Sequence, residues 1–401
     1  MAMPHALACC EDEPPAESAM TQSARQLKIA GVDPERGFAG GETQVLGLTL
    51  ALARAGHRAE LICDPAGKLW ERARAKGVEC HALAIRNAVD LAAGMRLRAI
   101  LKRERYDVVH FHTSRAHSMA PMLRGFARAL IVTRRMDYRP NRLFAPYLFG
   151  RAVDGVIAIS EGVADALVAA GVSRDRIAIV PSGVDCERFH PPSPSEREHA
   201  RAALGLSAET IAIAAVGALE LRKGHRYLIE AIASLGEHNG PQSGRMKLNC
   251  LIAGEGSLRA ELEREVGGHS FGGDVSLIGH IEDTRQLLWA SDIFAMPSLS
   301  EGLGVAVLEA MACGLPVVAS AVGGLRQAVI HEQTGLTAAP GHYDEIAEAI
   351  ARLSGSAEMR AKIGAAARER AEKNYSMAAM AARTLELYRE SIEKSEGLGA
   401  Q

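Results

Sequence analysis

Short apolar runs alternate with amphipathic stretches through almost the whole chain. In the first half the runs fall at 27–33 (LKIAGVD), 58–64 (RAELICD), 78–84, 107–112 (DVVHFH), 129–133, 154–160 and 176–185. Apolar positions on both faces, bounded by polar or turn residues, predict strands of a parallel sheet covered on both sides. Helices are expected between them near 42–56, 68–76 and 95–105, with Ser160 capping another. The run 184–196 (VDCERFHPPSPSE) is rich in proline and serine and has no period, so it reads as a linker. The alternation then resumes, with strands expected at 211–217, 247–254, 275–279, 292–298 and 317–320. Helices are expected at 224–235, 258–266, 283–291 and 305–312, and beyond 338 at 343–353, 359–373 and 377–393. The fold class is α/β, with two Rossmann-like, doubly wound parallel-sheet units. The expected division is a disordered tail over 1–24, a first domain over 25–184, a linker over 185–196, a second domain over 197–376 and a terminal helical segment over 377–401.

At 401 residues, 48% hydrophobic and 4% aromatic, the chain has material for two or three domains and a large core. No apolar run approaches the ~20 residues of a membrane span. The opening MAMPHALACCEDEPPAES is acidic and lacks the basic and apolar regions of a secretory signal. Seven scattered cysteines, Cys9 and Cys10 in the tail among them, fit cytoplasmic usage rather than a disulfide framework. The net charge of −2 hides an asymmetry, because 94–151 holds 13 basic and three acidic residues. Solvated helix faces account for such an excess. So does a surface that meets an anionic membrane leaflet or a phosphorylated partner.

Candidate chemistry concentrates in SLSEGLGVAVLEAMACGLPVVAS, residues 298–320. Its pattern is loop, helix, turn and buried strand, with Gly302 and Gly304 leaving bare amides at the helix entrance. Glu301 and Glu309 are eight residues apart, roughly 12 Å along a helix. Two carboxylates with helix amides between them suit a ligand bearing hydroxyls at both ends and phosphates in the middle, as a nucleotide sugar does. Capping by Glu301 and solvation of Glu309 is the bland alternative.

The block EGLGVAVLEAMACGLPVVAS, with its E-x7-E glutamates Glu301 and Glu309, resembles the retaining glycosyltransferases of family 4 (group 1). The resemblance covers nearly all of the chain after the first two dozen residues. It implies the GT-B architecture, in which two Rossmann-like domains face a cleft and the C-terminal helix crosses back to the first domain. It implies a donor diphosphate held by Lys223, with Arg222 in place of the usual arginine, whose position is Ala218 here. Glu309 would bind the ribose diol. Glu301, with the amides of Gly302, Leu303 and Gly304, would bind the donor sugar. The turn at Ile281 would meet the base, Gly40 and Gly41 would face the donor phosphates, and His112 would lie beside sugar and acceptor. Arg222, Lys223, Glu301 and His112 are the catalytic candidates.

Gly37, Gly40 and Gly41 follow the first strand without the G-x-G-x-x-G spacing, so the dinucleotide fingerprint is absent. His110 and His112 share one face of a strand, but no cysteine or carboxylate stands nearby at metal-ligand spacing. His117 reads as a surface helix residue. Arg134, Arg135, Asp137, Tyr138 and Arg139 follow a strand end and suit the acceptor side. No D-x-D occurs in the chain, so metal-independent transfer is expected, with no metal and no cofactor. The expected partners are a UDP-, GDP- or ADP-sugar donor, a glycan or glycolipid acceptor of lipopolysaccharide type, and an anionic membrane surface; nucleic acid is not among them. The expected location is cytoplasmic, with peripheral attachment at the inner face of the membrane. An epimerase or hydrolase of the same architecture, a dinucleotide oxidoreductase and a non-catalytic nucleotide-sugar sensor are the rival readings.

Overall fold

Every one of the apolar runs forms a strand, and the strands assort into two parallel sheets. The first sheet contains β1 (Lys28–Asp33), β2 (Arg58–Cys63), β3 (Cys80–Ala82), β4 (Val108–Phe111), β5 (Ala129–Arg134), β6 (Gly155–Ala158) and β7 (Ile177–Ile179). The second contains β8 (Ile211–Val216), β9 (Leu248–Ala253), β10 (Val275–Gly279), β11 (Ile293–Met296), β12 (Val317–Ser320) and β13 (Gly335–Ala338). These assignments come from a computed structural model that describes residues 25–136, 139–238, 247–269 and 275–399. The expected tail over 1–24 and the candidates Asp137 and Tyr138 lie outside the described residues.

Strand order locates the ligand crevices. The first sheet runs β3-β2-β1-β4-β5-β6-β7 and the second β10-β9-β8-β11-β12-β13. Chain direction across the sheet reverses between β1 and β4 and again between β8 and β11. In open parallel sheets such reversals leave a crevice beyond the carboxyl ends of the strands. The registers Val32↔Phe111 and Phe294↔Ala214 bring the loops after these four strands together in pairs.

The last helix, Met377–Gly399, does cross back. Met380, Ala381, Leu385, Leu387, Tyr388 and Ile392 pack into a core with Leu27, Ile29, Val108, Ala129, Ile131 and Ile157 of the first sheet. The crossing point is pinned by backbone: Val184 N–H donates to the Tyr375 carbonyl at 2.7 Å, and Met377 N–H to the Val184 carbonyl at 3.1 Å. Gln44 clamps the same turn with both ends of its amide, to Gly183 O at 2.8 Å and from Gly183 N at 2.7 Å.

Local chemistry explains where element ends differ from the periodicity. The first helix starts at Gly40 rather than near Glu42, because the Glu42 carboxylate folds back to accept the Ala39 N–H at 2.7 Å. The helix expected from 95 begins at Leu91, where Asp90 caps it by accepting from Ala93 N at 3.0 Å. The linker stretch turns helical at Pro194, with Ser193 and Glu196 forming a capping box. Residues 180–193 form the connection between β7 and that helix. Strand β13 is an addition: three of its four residues are buried, but Gly335-Leu-Thr-Ala carries too weak an apolar signal to stand out.

Candidate functional site

On the second domain the site grows from the ends of β8, β11 and β12. After β8 the chain makes a short turn over Leu221–Lys223 before the His225–His238 helix. The Arg222 carbonyl accepts from Leu299 N at 2.8 Å, which ties this turn to the loop after β11. Lys223 then reaches across and donates to the Glu301 carboxylate, with both side chains 11% exposed. Two of the catalytic candidates, 78 residues apart, thus meet as a nearly buried ion pair. Arg222 takes a different course: its guanidinium is half-exposed and pairs with Glu220 at 2.9 Å.

The helix Val305–Ala312 begins at Gly304, whose φ of 81° is open to glycine at little cost. Leu303 is buried beneath the entrance and Glu309 lies one turn in. Burial pushes the Glu309 carboxyl up to about 7, against the pull of a Thr284 hydroxyl that donates to it at 3.2 Å and of the Arg188 charge. Arg188 comes from the connection between the domains and pairs with Asp283 at 3.3 Å. Ile281 is partly buried against the core at the same edge. Glu301 is backed by Gly323, whose φ is 43° and where an added Cβ would lie 2.0 Å from the Glu301 carbonyl oxygen.

The first domain supplies the facing wall from the ends of β1, β4 and β5. His112, after β4, is 6% exposed, and its Nδ1 has no hydrogen-bond partner among the described residues. Its ring lies against that of His110, tilted by 39° with 4.0 Å between centroids. Burial holds both imidazoles well below their usual range, so both are neutral. Asp33 ends β1 and accepts from Glu35 N at 3.0 Å; burial pushes its carboxyl up to about 7. The Arg135 charge acts on both Asp33 and His112, and burial lowers its own guanidinium to about 10. Gly40 and Gly41 form the first turn of the Gly40–Arg54 helix, and a Cβ added to either meets nothing within 4 Å. The open face of that helix start is what an approaching anion requires.

The two walls touch. A Cβ at Gly302 would lie 2.9 Å from the Arg135 carbonyl oxygen, so only a bare backbone lets the Glu301 loop come this close to the first domain. At the mouth, Arg72 lies over the Phe38 ring at 4.1 Å and pairs with Glu282 of the second domain.

One expectation needs correction. His117 is not a surface residue: it is 5% exposed, bonds the Phe111 carbonyl at 3.2 Å and packs edge-on to Phe149. The short Ser114–His117 helix turns it inward under β4. Asp33, Thr284, Arg188 and Gly323 escaped sequence reading. A charged residue closing an apolar strand was the available sign for Asp33, and a Gly-Gly after a strand for Gly323. Among the described residues, one group has metal-ligand spacing: Glu60, His81 and Glu104. Lys28 already sits in it, 2.9 Å from Glu104 and 3.6 Å from Glu60, so it is built as an ion-pair cluster.

With this geometry in view, the chain's likeness to known proteins is informative. Residues 196–370 match the model for glycosyl transferases group 1, and residues 38–188 that for glycosyltransferase family 4. A D-inositol 3-phosphate glycosyltransferase of Xylanimonas cellulosilytica is 32% identical over 304 residues, covering 73% of this chain and 69% of that protein. An alpha-maltose-1-phosphate synthase of Mycolicibacterium smegmatis is 30% identical over 328 residues, covering 73% of this chain and 81% of that one. Among solved structures, Anabaena HepE crystallised with UDP and glucose superposes with a TM-score of 0.78. That match covers 91% of this chain and 100% of HepE at 21% identity, a likeness of fold.

Proposed function

The chain belongs to the group 1 glycosyltransferases of family 4, and from that premise we propose that it transfers a sugar from a nucleotide-sugar donor, with retention of configuration and without a metal ion. The observation that carries this reading is the Lys223–Glu301 pair beside the start of the Val305–Ala312 helix. A nearly buried ammonium is poorly screened by water, so its charge acts strongly on an incoming diphosphate once the diphosphate replaces Glu301 as its partner. Lys223 and the helix amides meet the negative charge that grows on the departing phosphate. Glu301 engages the sugar hydroxyls and Glu309 the ribose diol, a fit of carboxylate to vicinal hydroxyls. Arg222, half-exposed, gives up its Glu220 partner when the donor arrives.

In the transfer step the bond from the anomeric carbon to the phosphate oxygen breaks, and a bond to the acceptor oxygen forms on the same face. The acceptor's proton passes to the departing phosphate oxygen, so no protein nucleophile is required. Neutral His112 supplies a hydrogen bond to sugar or acceptor through its unpartnered nitrogen.

The acceptor is proposed to be a glycan or glycolipid of cell-envelope, lipopolysaccharide type, reached at an anionic leaflet. Leu143 is 85% exposed and Phe144 61%, and they lie among Arg139, Arg142 and Arg151. Apolar side chains flanked in sequence by arginines suit a headgroup region. The two relatives described above are named for phosphorylated compounds, which favours a second reading, a soluble phosphorylated acceptor. An epimerase, a hydrolase or a silent nucleotide-sugar binder of the same fold would need no acceptor. The test is release of nucleoside diphosphate from UDP-, GDP- and ADP-sugars with and without cell-envelope glycolipid. Acceptor-dependent release from one donor is expected. Release that ignores the acceptor, or binding without turnover, would overturn the transferase reading.

A further inference from the structure

Residue His110 shares the strand face and the burial of His112, yet its two nitrogens are treated differently. The Tyr388 hydroxyl, on the closing helix, lies 2.7 Å from His110 Nδ1, and the Thr133 hydroxyl, on β5, lies 2.6 Å from its Nε2. Tyr388 is 0% exposed and Thr133 4%, so both bonds are sealed from water. A neutral imidazole donates from one nitrogen and accepts at the other, and a hydroxyl at each end satisfies either tautomer. His110 is therefore fixed in orientation from both edges.

The same cannot come from His112's own bonds, since its Nδ1 has no partner. Its ring is instead held by its neighbours. The His110 ring lies against it at 4.0 Å, and Gly31 leaves room for its edge, since a Cβ added there would stand 3.3 Å from His112 Nε2. Turning His110 would take away the surface that sets the His112 ring. Thr384, also buried on the closing helix, bonds the Met380 carbonyl within the helix, whereas the Tyr388 hydroxyl reaches across to His110. A buried hydroxyl in apolar packing is costly unless it is bonded, so its place opposite His110 marks a specific pairing.

We propose that Tyr388 is a positioning residue for sugar transfer: with Thr133 it locks the His110 ring, and the locked ring aims His112 into the cleft. The closing helix thereby reaches the reaction through one hydrogen bond and one ring contact. The proposal rests on the reading of His112 as a group at the reacting sugar.

The test is a double-mutant cycle on the full chain, read as nucleoside diphosphate released from whichever of UDP-glucose, GDP-mannose and ADP-glucose is turned over, joined to imidazole ¹⁵N NMR. Tyr388→Phe keeps the ring and deletes the hydroxyl. It is expected to lower kcat about tenfold with donor KM within about twofold, as for one buried ring nitrogen left unsatisfied. Thr133→Val is expected to do the same from the other edge, and serves alone if Tyr388→Phe does not fold. In a His112→Ala background neither change lowers kcat further. The spectrum of the parent is expected to show one set of His112 resonances, and that of Tyr388→Phe a shifted or doubled set. Losses that multiply in the His112→Ala background, or unchanged His112 resonances in both variants, overturn the proposal. If His112→Ala itself leaves kcat intact, the fault lies in the role given to His112, and the proposal falls with it.

Discussion

Lys223 bears the heaviest demand of any single side chain in the proposed reaction. Charge on the diphosphate is larger in the transition state than in the bound donor, so Lys223→Ala is expected to cut kcat about a hundredfold while raising donor KM much less. Unchanged kcat with a raised KM would reduce Lys223 to a ground-state contact. Glu309 offers a second check. Its carboxyl rises from an ordinary 4.5 to about 7 through burial, so the folded chain holds the proton more tightly than the unfolded chain. The stability it contributes is complete below about pH 4.5 and is lost as pH rises through about 7. The melting temperature of Glu309→Gln should therefore gain on the parent's between about pH 5 and pH 8; a gap that ignores pH would contradict the burial argument. The same variant should bind free nucleoside diphosphate about tenfold more weakly and discriminate ribose from 2′-deoxyribose less. Both glutamates are visible in the sequence because their spacing sits inside a patterned block. Asp33 is not, because a lone carboxylate at a strand end reads as a turn residue until burial and Arg135 are known.

Between elements, the support of Glu301 is the informative case. Gly323 follows β12 and stands against the Glu301 carbonyl, with φ of 43° and no room for a Cβ. Gly323→Ala should push the Glu301 loop from Lys223, lowering kcat/KM about tenfold or more while far-UV circular dichroism stays unchanged. Full activity in that variant would mean that the loop position is not set from behind. Strands and most helices were readable because a parallel sheet covered on both sides needs continuous apolar runs. Helix starts were less so, since Glu42, Asp90 and Ser193 each bond backbone amides that periodicity ignores. His117 misled because a four-residue helix gives too few turns for a face to be recognised.

Across the molecule, two strand-order reversals face each other, and the helix at 377–399 anchors the second half of the chain on the first. The two-sheet design follows from the alternation of the runs; the pairing of Lys223 with Glu301, and the approach of Gly302 to Arg135, arise only when the halves meet. The basic excess between 94 and 151 and the exposed Leu143 and Phe144 belong to this scale too. Co-sedimentation should favour anionic over zwitterionic vesicles and weaken with salt, as exposed charges are screened over ~8 Å at physiological ionic strength. Equal binding to both vesicle types at low salt would remove the membrane from the account and leave transfer intact. The central claim is retaining transfer driven by Lys223 and helix amides in place of a metal, and proton NMR of the newly formed linkage tests it most directly. With an α-configured nucleotide sugar and excess EDTA, the product is expected to be α-linked and formed at the undiminished rate. A β-linked product, or activity lost to EDTA and restored only by Mg²⁺ or Mn²⁺, would contradict it.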